Sequence, residues 1–195
     1  MSLTNPFGDA QLSNPQAMRA LAHPTRLAIL TYLQRNGPAT ATTLSPHVGA
    51  TPSVTSWHLR HLAGFGLVVD ADPSEVPGDR RQRWWKAMAR GFSFEFGDDD
   101  ETQAAARVLN DRLVVAAQQQ VNQWLTEVEP VLEPEWLRHA GLSNTSVPMT
   151  PAELEALARQ IDELIAPYVH RTEAGAPPGA RVVRILRHYL PEASA

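Results

Sequence analysis

The sequence predicts an α+β fold that is mainly helical, and three observations carry that reading. Apolar residues recur at three- and four-residue spacing over most of the chain, the signature of amphipathic helices. Two short helical segments meeting at Gly49 are followed by two strand-like segments around a loop containing Pro73, Pro77 and Gly78. A helical pattern over residues 102–128, the longest in the chain, comes after them.

Residues 1–13 are polar and read as a flexible tail. Asn14-Pro15 opens a short helix carrying Met18 and Leu21, and His23-Pro24 interrupts it. Proline fits a first helical position because its fixed φ is helical and its missing N–H has no partner there. Arg26, Ile29, Leu30 and Leu33 then form one stripe, stopped by Asn36-Gly37-Pro38. Residues 40–48 form a second short helix, weakened by Pro46 and ended by Gly49. Thr51-Pro52 starts a third as cap and first residue, with Leu59 and Leu62 inward and Gly66 closing it. Residues 67–69 and 81–88 read as a hairpin. Two helices joined at a tight glycine turn and followed by a hairpin is the order of a winged helix-turn-helix.

Phe92, Phe94 and Phe96 alternate with polar residues as a short strand. The acidic run 97–101 favours a helix N-terminus. The long helix behind it places Leu109, Leu113, Ala117, Val121, Trp124 and Val128 on one stripe and ends at Pro130 and Pro134. Thr150-Pro151-Ala152-Glu153 is a capping box, and its helix carries Leu154, Leu157, Ile161, Leu164 and Tyr168. Residues 181–190 are β-rich. The expected organisation is therefore a winged helix-turn-helix domain over 14–96 and a second region over 97–195. That region holds a long dimerisation helix, then a helix and a strand.

The chain has no cysteine, which excludes disulfides, thiolate metal sites and thiol nucleophiles. No apolar run reaches the roughly 20 residues that span a bilayer, and the opening lacks the pattern of a signal peptide. A cytoplasmic protein without a membrane partner is expected. The formal net charge of −4 hides an asymmetry. Residues 16–91 carry nine Lys/Arg against four Asp/Glu, whereas residues 92–195 carry eight against sixteen. Only the first half suits a polyanion.

Several of these segments resemble the ArsR-type winged-helix regulators. Leu21-Ala22-His23-Pro24-Thr25-Arg26-Leu27-Ala28-Ile29-Leu30 resembles their opening signature. Ser56-x-His58-Leu59-Arg60-x-Leu62-Ala63-x-x-Gly66-Leu67-Val68 resembles their recognition helix and its exit. Arg81-x-Arg83-Trp84-Trp85-x-Ala87 resembles the returning wing strand. Trp136, residues 149–153 and residues 179–183 resemble a longer subgroup with an added C-terminal region. The resemblance implies a DNA-binding homodimer that represses transcription. It does not extend to metal sensing, because the cysteines of metal-sensing members are absent and residues 102–128 contain no histidine.

A helix in the major groove needs an apolar back and a front that reaches bases and phosphates. With Leu59 and Leu62 inward, Ser53, Trp57, Arg60 and His61 lie outward and Ser56 beside them. Arg80, Arg81 and Arg83 cluster at the hairpin, where phosphates or the minor groove are in reach. Thr40, Thr42 and Thr43 suit phosphate contact or ordinary capping equally. Leu109, Leu113, Val121, Trp124 and Val128 are the expected dimer stripe. His58 and His61 have a chelating spacing, but two ligands do not make a site, and no metal or other cofactor is expected. Trp124, Trp136 and Tyr168 suit either the wall of a small-molecule effector pocket or a packed core. No phosphate loop, nucleophile elbow or metalloprotease motif supports an enzyme. The competing reading is a winged helix used to bind proteins without reading DNA.

Overall fold

The computed structural model describes residues 6–76, 82–171 and 175–193. It is mainly helical with two small sheets, and it divides into units covering residues 1–116 and 117–195.

In the first unit each helix starts where its sequence provides an acceptor for free N–H groups. Asn14 Oδ1 accepts from Gln16 N–H at 2.8 Å and opens helix α1 (Pro15–Leu21). His23 does the same for α2 (Pro24–Asn36), its Nδ1 accepting from Thr25 N–H at 3.2 Å. Arg26 Nε donates back to the Ala20 carbonyl, tying the end of α1 to the start of α2. Thr40 caps α3 (Ala41–Val48) and Thr51 caps α4 (Pro52–Gly64), each through its hydroxyl oxygen. Gly49 ends α3 with φ 63° and ψ 32°, a left-handed conformation that a Cβ disfavours. The chain therefore turns sharply into α4.

Met18, Leu21, Ile29, Leu44, Leu59 and Leu62 fill the centre of this unit and are fully buried. Beside them lies the sheet β2 (Ala39–Thr40), β4 (Trp84–Ala87), β3 (Val68–Asp70), antiparallel in the order β2-β4-β3. Trp85 pairs with both Ala39 and Asp70 and is buried. Helix, turn, helix and hairpin thus stand in the expected order.

The beginning of the chain departs from the expected flexible tail. Residues Ala10–Leu12 form β1, parallel to β5 (Phe92–Phe94), with Leu12 opposite Phe94 and only 6% exposed. A segment of three residues carries too little pattern to be recognised, and its partner lies some eighty residues away. Helix α5 (Asp100–Gln123) starts on Asp99, whose Oδ1 accepts from Thr102 N–H at 2.8 Å. Its first half belongs to the first unit, because Ala105, Ala106 and Leu109 are fully buried there.

The second unit contains the end of α5, a π-turn over Trp124–Val128, a 3₁₀ turn over Glu129–Val131, α6 (Pro134–Leu137) and α7 (Pro151–Arg171). The capping box forms as expected, with Thr150 N–H donating to Glu153 Oε2 at 2.7 Å and Glu153 N–H to Thr150 Oγ1 at 3.3 Å. Leu154, Leu157, Ile161 and Ile165 are half-buried. Leu164 and Tyr168 are instead 71% and 64% exposed. Leu164 follows Leu157 by seven residues and lies at the edge of the covered row, and Tyr168 sits in the last turn with its ring beneath Arg171.

The C-terminal strand expected over residues 181–190 does not form. Adjacent Val182 and Val183 break a two-residue alternation, and no neighbouring strand edge is present among the described residues of this unit. Arginines three apart fasten the segment instead. Arg181 bonds Glu133, Arg184 bonds Gln120 and Arg187 bonds Asp162.

Burial of Leu12 gives a test of the first strand. Leu12→Ala should destabilise the protein by about 2–5 kcal/mol, the range for truncating a buried leucine, measured from urea unfolding followed by tryptophan fluorescence. A midpoint equal to wild type would return residues 1–13 to a tail.

Candidate nucleic-acid interface

Helix α4 packs mainly on α3 and also meets α1 and α2. Thr55, His58, Leu59 and Leu62 face this interior and are buried. The opposite face is settled by the same geometry, since side chains three and four apart share one side of a helix. It presents Ser53, Val54, Trp57 and Arg60, all exposed, with Trp57 at 53% and Val54 at 46%. His61 and Ser56 flank this face, half-buried.

Two contacts hold the outer side chains. Arg60 Nη1 donates to Ser56 Oγ at 2.9 Å, so the guanidinium lies along the helix. Trp57 stacks on His61, with ring centroids 5.5 Å apart and planes at 23°, and meets the edge of His58 at 4.9 Å. His61 in turn meets Phe65 at 5.4 Å. Val54 was absent from the residues expected on this face. Its position three before Trp57 was the signal for it.

The hairpin distributes the three candidate arginines differently. Arg80 and Arg81 lie outside the described residues. Arg83 is exposed but already engaged, since Asp70 accepts from its Nε at 2.6 Å and its Nη2 at 3.1 Å. Its guanidinium also lies 3.9 Å from the centroid of the Trp85 ring. That pairing lowers the pKa of Asp70 and raises that of Arg83, hydrogen bonding being the main cause in both. Lys86 is likewise paired with Glu75, at 2.7 Å. Thr40 is buried and spends its hydroxyl on the α3 cap, leaving Thr42 and Thr43 exposed.

His58 and His23 serve the interior. His58 is buried, and its ring centroid lies 4.8 Å from that of His23. His58 Nδ1 has no hydrogen-bond partner. Burial pushes both pKa values down, chiefly by desolvation, and nearby Arg26 and His61 push the same way. Coulomb repulsion adds from His23 at His58 and from Arg112 at His23. No grouping of three or more metal-binding side chains occurs among the described residues.

In the second unit Trp124, Trp136 and Tyr168 do not come together as the wall of one pocket. A cavity of about 380 Å³ is lined by Ala117, Gln118, Val121, Asn122 and His188, without Trp124, Trp136 or Tyr168. Trp136 lies beneath Arg181, and Trp124 is half-buried. Of the expected dimer stripe, Leu109 is fully buried within its own chain. Leu113 is half-covered by the first unit's core, and Val128 is 40% exposed. No helix among the described residues is long and apolar enough to cross a membrane.

Residues 21–70 match a family described as a helix-turn-helix domain, and this stretch runs from the end of α1 to the end of β3. The match supports a DNA-binding regulator and covers the helix whose outer face is described above. No curated protein matches the chain. Among solved structures it is similar to RV1404 from Mycobacterium tuberculosis, at 18% identity over 84% of this chain and 86% of that one, with a TM-score of 0.31. It is also similar to YusO from Bacillus subtilis, at 16% identity over 75% and 84%, with a TM-score of 0.33. A third is a MarR family regulator from Neisseria meningitidis, at 17% identity over 74% and 79%, with a TM-score of 0.30. Scores this low lend no weight to any of the three likenesses, so the fold assignment stands on the element order and on the matched domain.

The depressed histidines fix the direction of a pH effect. A group whose pKa is lower folded than unfolded contributes stability above its unfolded value, near 6.5 for histidine, and loses it as pH falls through the folded one. The melting temperature should therefore fall between pH 7.5 and 5.5, and His58→Leu should fall less over that interval because its buried site no longer titrates. A wild type and variant with parallel acid profiles would remove His58 as the cause.

Proposed function

We propose that this chain is a transcriptional regulator of the ArsR type that binds duplex DNA sequence-specifically as a homodimer and represses by occupying a promoter. The outer face of α4 carries the proposal. It combines a donor in Arg60, a hydroxyl in Ser53 and an apolar surface in Val54 and Trp57, on the second helix of a helix-turn-helix. Such a face offers hydrogen bonds and van der Waals contact to base edges at once. The positive balance of residues 16–91 supplies attraction to phosphate. Arg80 and Arg81 remain candidate phosphate contacts of the wing, with His61 and Ser56 supporting the reading helix. Arg83 reaches phosphate only by sharing its guanidinium with Asp70.

Dimerisation is supported by what the second unit leaves uncovered. None of its described residues is buried. Val131, Leu142, Val182 and Leu190 are all more than 70% exposed. These open apolar side chains are surface that a partner can cover, and a second copy of the chain is the partner we assign. Within the stripe Leu113, Val121, Trp124 and Val128 are proposed to meet that copy, whereas Leu109 serves its own core. Two domains related by a two-fold axis then reach successive major-groove faces, about 34 Å apart. We propose a cytoplasmic, non-enzymatic protein, with a small-molecule effector as an open addition to the second unit.

Selection of bound duplexes from random DNA should yield a palindromic motif, and Arg60→Ala should weaken binding to it by about 1–3 kcal/mol without loss of fold. Light scattering on wild type should report a dimer. Val128→Glu places an ion in the proposed interface, and it should shift the chain toward monomer and cost operator affinity. A monomeric wild type that binds such a site tightly, one chain per duplex, would refute the dimer.

A further inference from the structure

Along α4 an apolar row runs Val54, Trp57, His61, Phe65, at i, i+3, i+7 and i+11. Its C-terminal end is covered, since Phe65 packs against the core and His61 is half-buried. Its N-terminal end is open, with Val54 46% and Trp57 53% exposed. Arg60 and Ser56 occupy the opposite flank of the outer face and are bonded to each other. The reading face is therefore split lengthwise into a polar flank and an apolar one.

The backbone that carries Val54 and the ring of Trp57 are both fixed. Val54 N–H donates to Thr51 Oγ1 at 3.4 Å, fixing the first turn. Trp57 is stacked on His61 and edged by His58, so its ring is positioned before any partner arrives. The N-terminal turns of a reading helix are the ones that approach base edges. Among the features the major groove displays, the C5 methyl of thymine is the apolar one. A valine and a tryptophan at that place offer nothing to a base amino or carbonyl group except the single indole N–H.

We infer that Val54 and Trp57 are specificity-determining residues that recognise thymine 5-methyl groups, so that the operator half-site carries thymine opposite the N-terminal turns of α4. The inference rests on the reading of the chain as a DNA-binding regulator. It adds which base that reading face prefers and which side chains choose it, and it assigns Val54 a role independent of Arg60.

The test uses the full chain and duplexes selected from random DNA, with each thymine replaced singly by uracil, which removes the methyl and keeps the pairing edge. At one or two positions per half-site uracil should weaken binding about fourfold, the factor for losing one buried methyl-sized group. The same replacement should cost Val54→Ala or Trp57→Ala little, because the methyl's neighbour is already gone. Both substitutions lie on the exposed face, and circular dichroism checks that they fold. Uracil tolerated at every position of a tightly and selectively bound site would overturn the inference while leaving the DNA-binding reading intact. So would a methyl effect that persists undiminished in both variants. A chain that selects no duplex at all overturns that reading as well and leaves Val54 and Trp57 as a protein-docking face.

Discussion

Leu59 and Leu62, three residues apart on α4 and fully buried, decide what the rest of that helix can do. With both side chains inward, the helical repeat leaves Ser53, Val54, Trp57 and Arg60 no direction but outward. Rotating α4 by half a turn would carry both leucines into water and bring the charged Arg60 into the core, a cost of several kcal/mol. Orientation about the helix axis is thus fixed by packing. Position along that axis is fixed by the left-handed turn at Gly49 and the Thr51 cap. The outer side chains need no mutual attraction to be well placed.

Around this anchor the polar groups of the first unit divide cleanly by task. Asn14, His23, Thr40, Thr51 and Asp99 satisfy the N–H groups at helix starts. Arg26 serves the carbonyl end of α1, and Asp70 holds Arg83 across the hairpin. Such exposed pairs contribute about 0–1 kcal/mol each, so the Asp70–Arg83 contact shapes the wing more than it stabilises it.

What could be read in the sequence was whatever local spacing determines. Caps, glycine stops and the inward leucines placed α1 to α4 and the hairpin, because each depends on residues within a few positions of one another. Trp57 and Arg60 followed as the complement of Leu59 and Leu62. Hidden were the features set by long-range pairing. Leu12 needs Phe94 to become a strand residue, and Arg83 needs Asp70 to become a strut. Leu109 carries the same stripe pattern as Val128, and only its placement against the first unit's core separates them. Along 181–190, β-forming side chains lacked an edge to join, and periodicity is silent about that.

The signature His23-Pro24-Thr25-Arg26 is occupied with architecture: it caps α2, starts it, and binds back to Ala20. None of these contacts is made on the outer side of α4. The side chains that tie α1 to α2 are therefore physically separate from those on the outer face of α4. Substitutions at Ser53, Val54, Trp57 or Arg60 can change what that face offers a partner while the joint at residues 23–26 stays as it is.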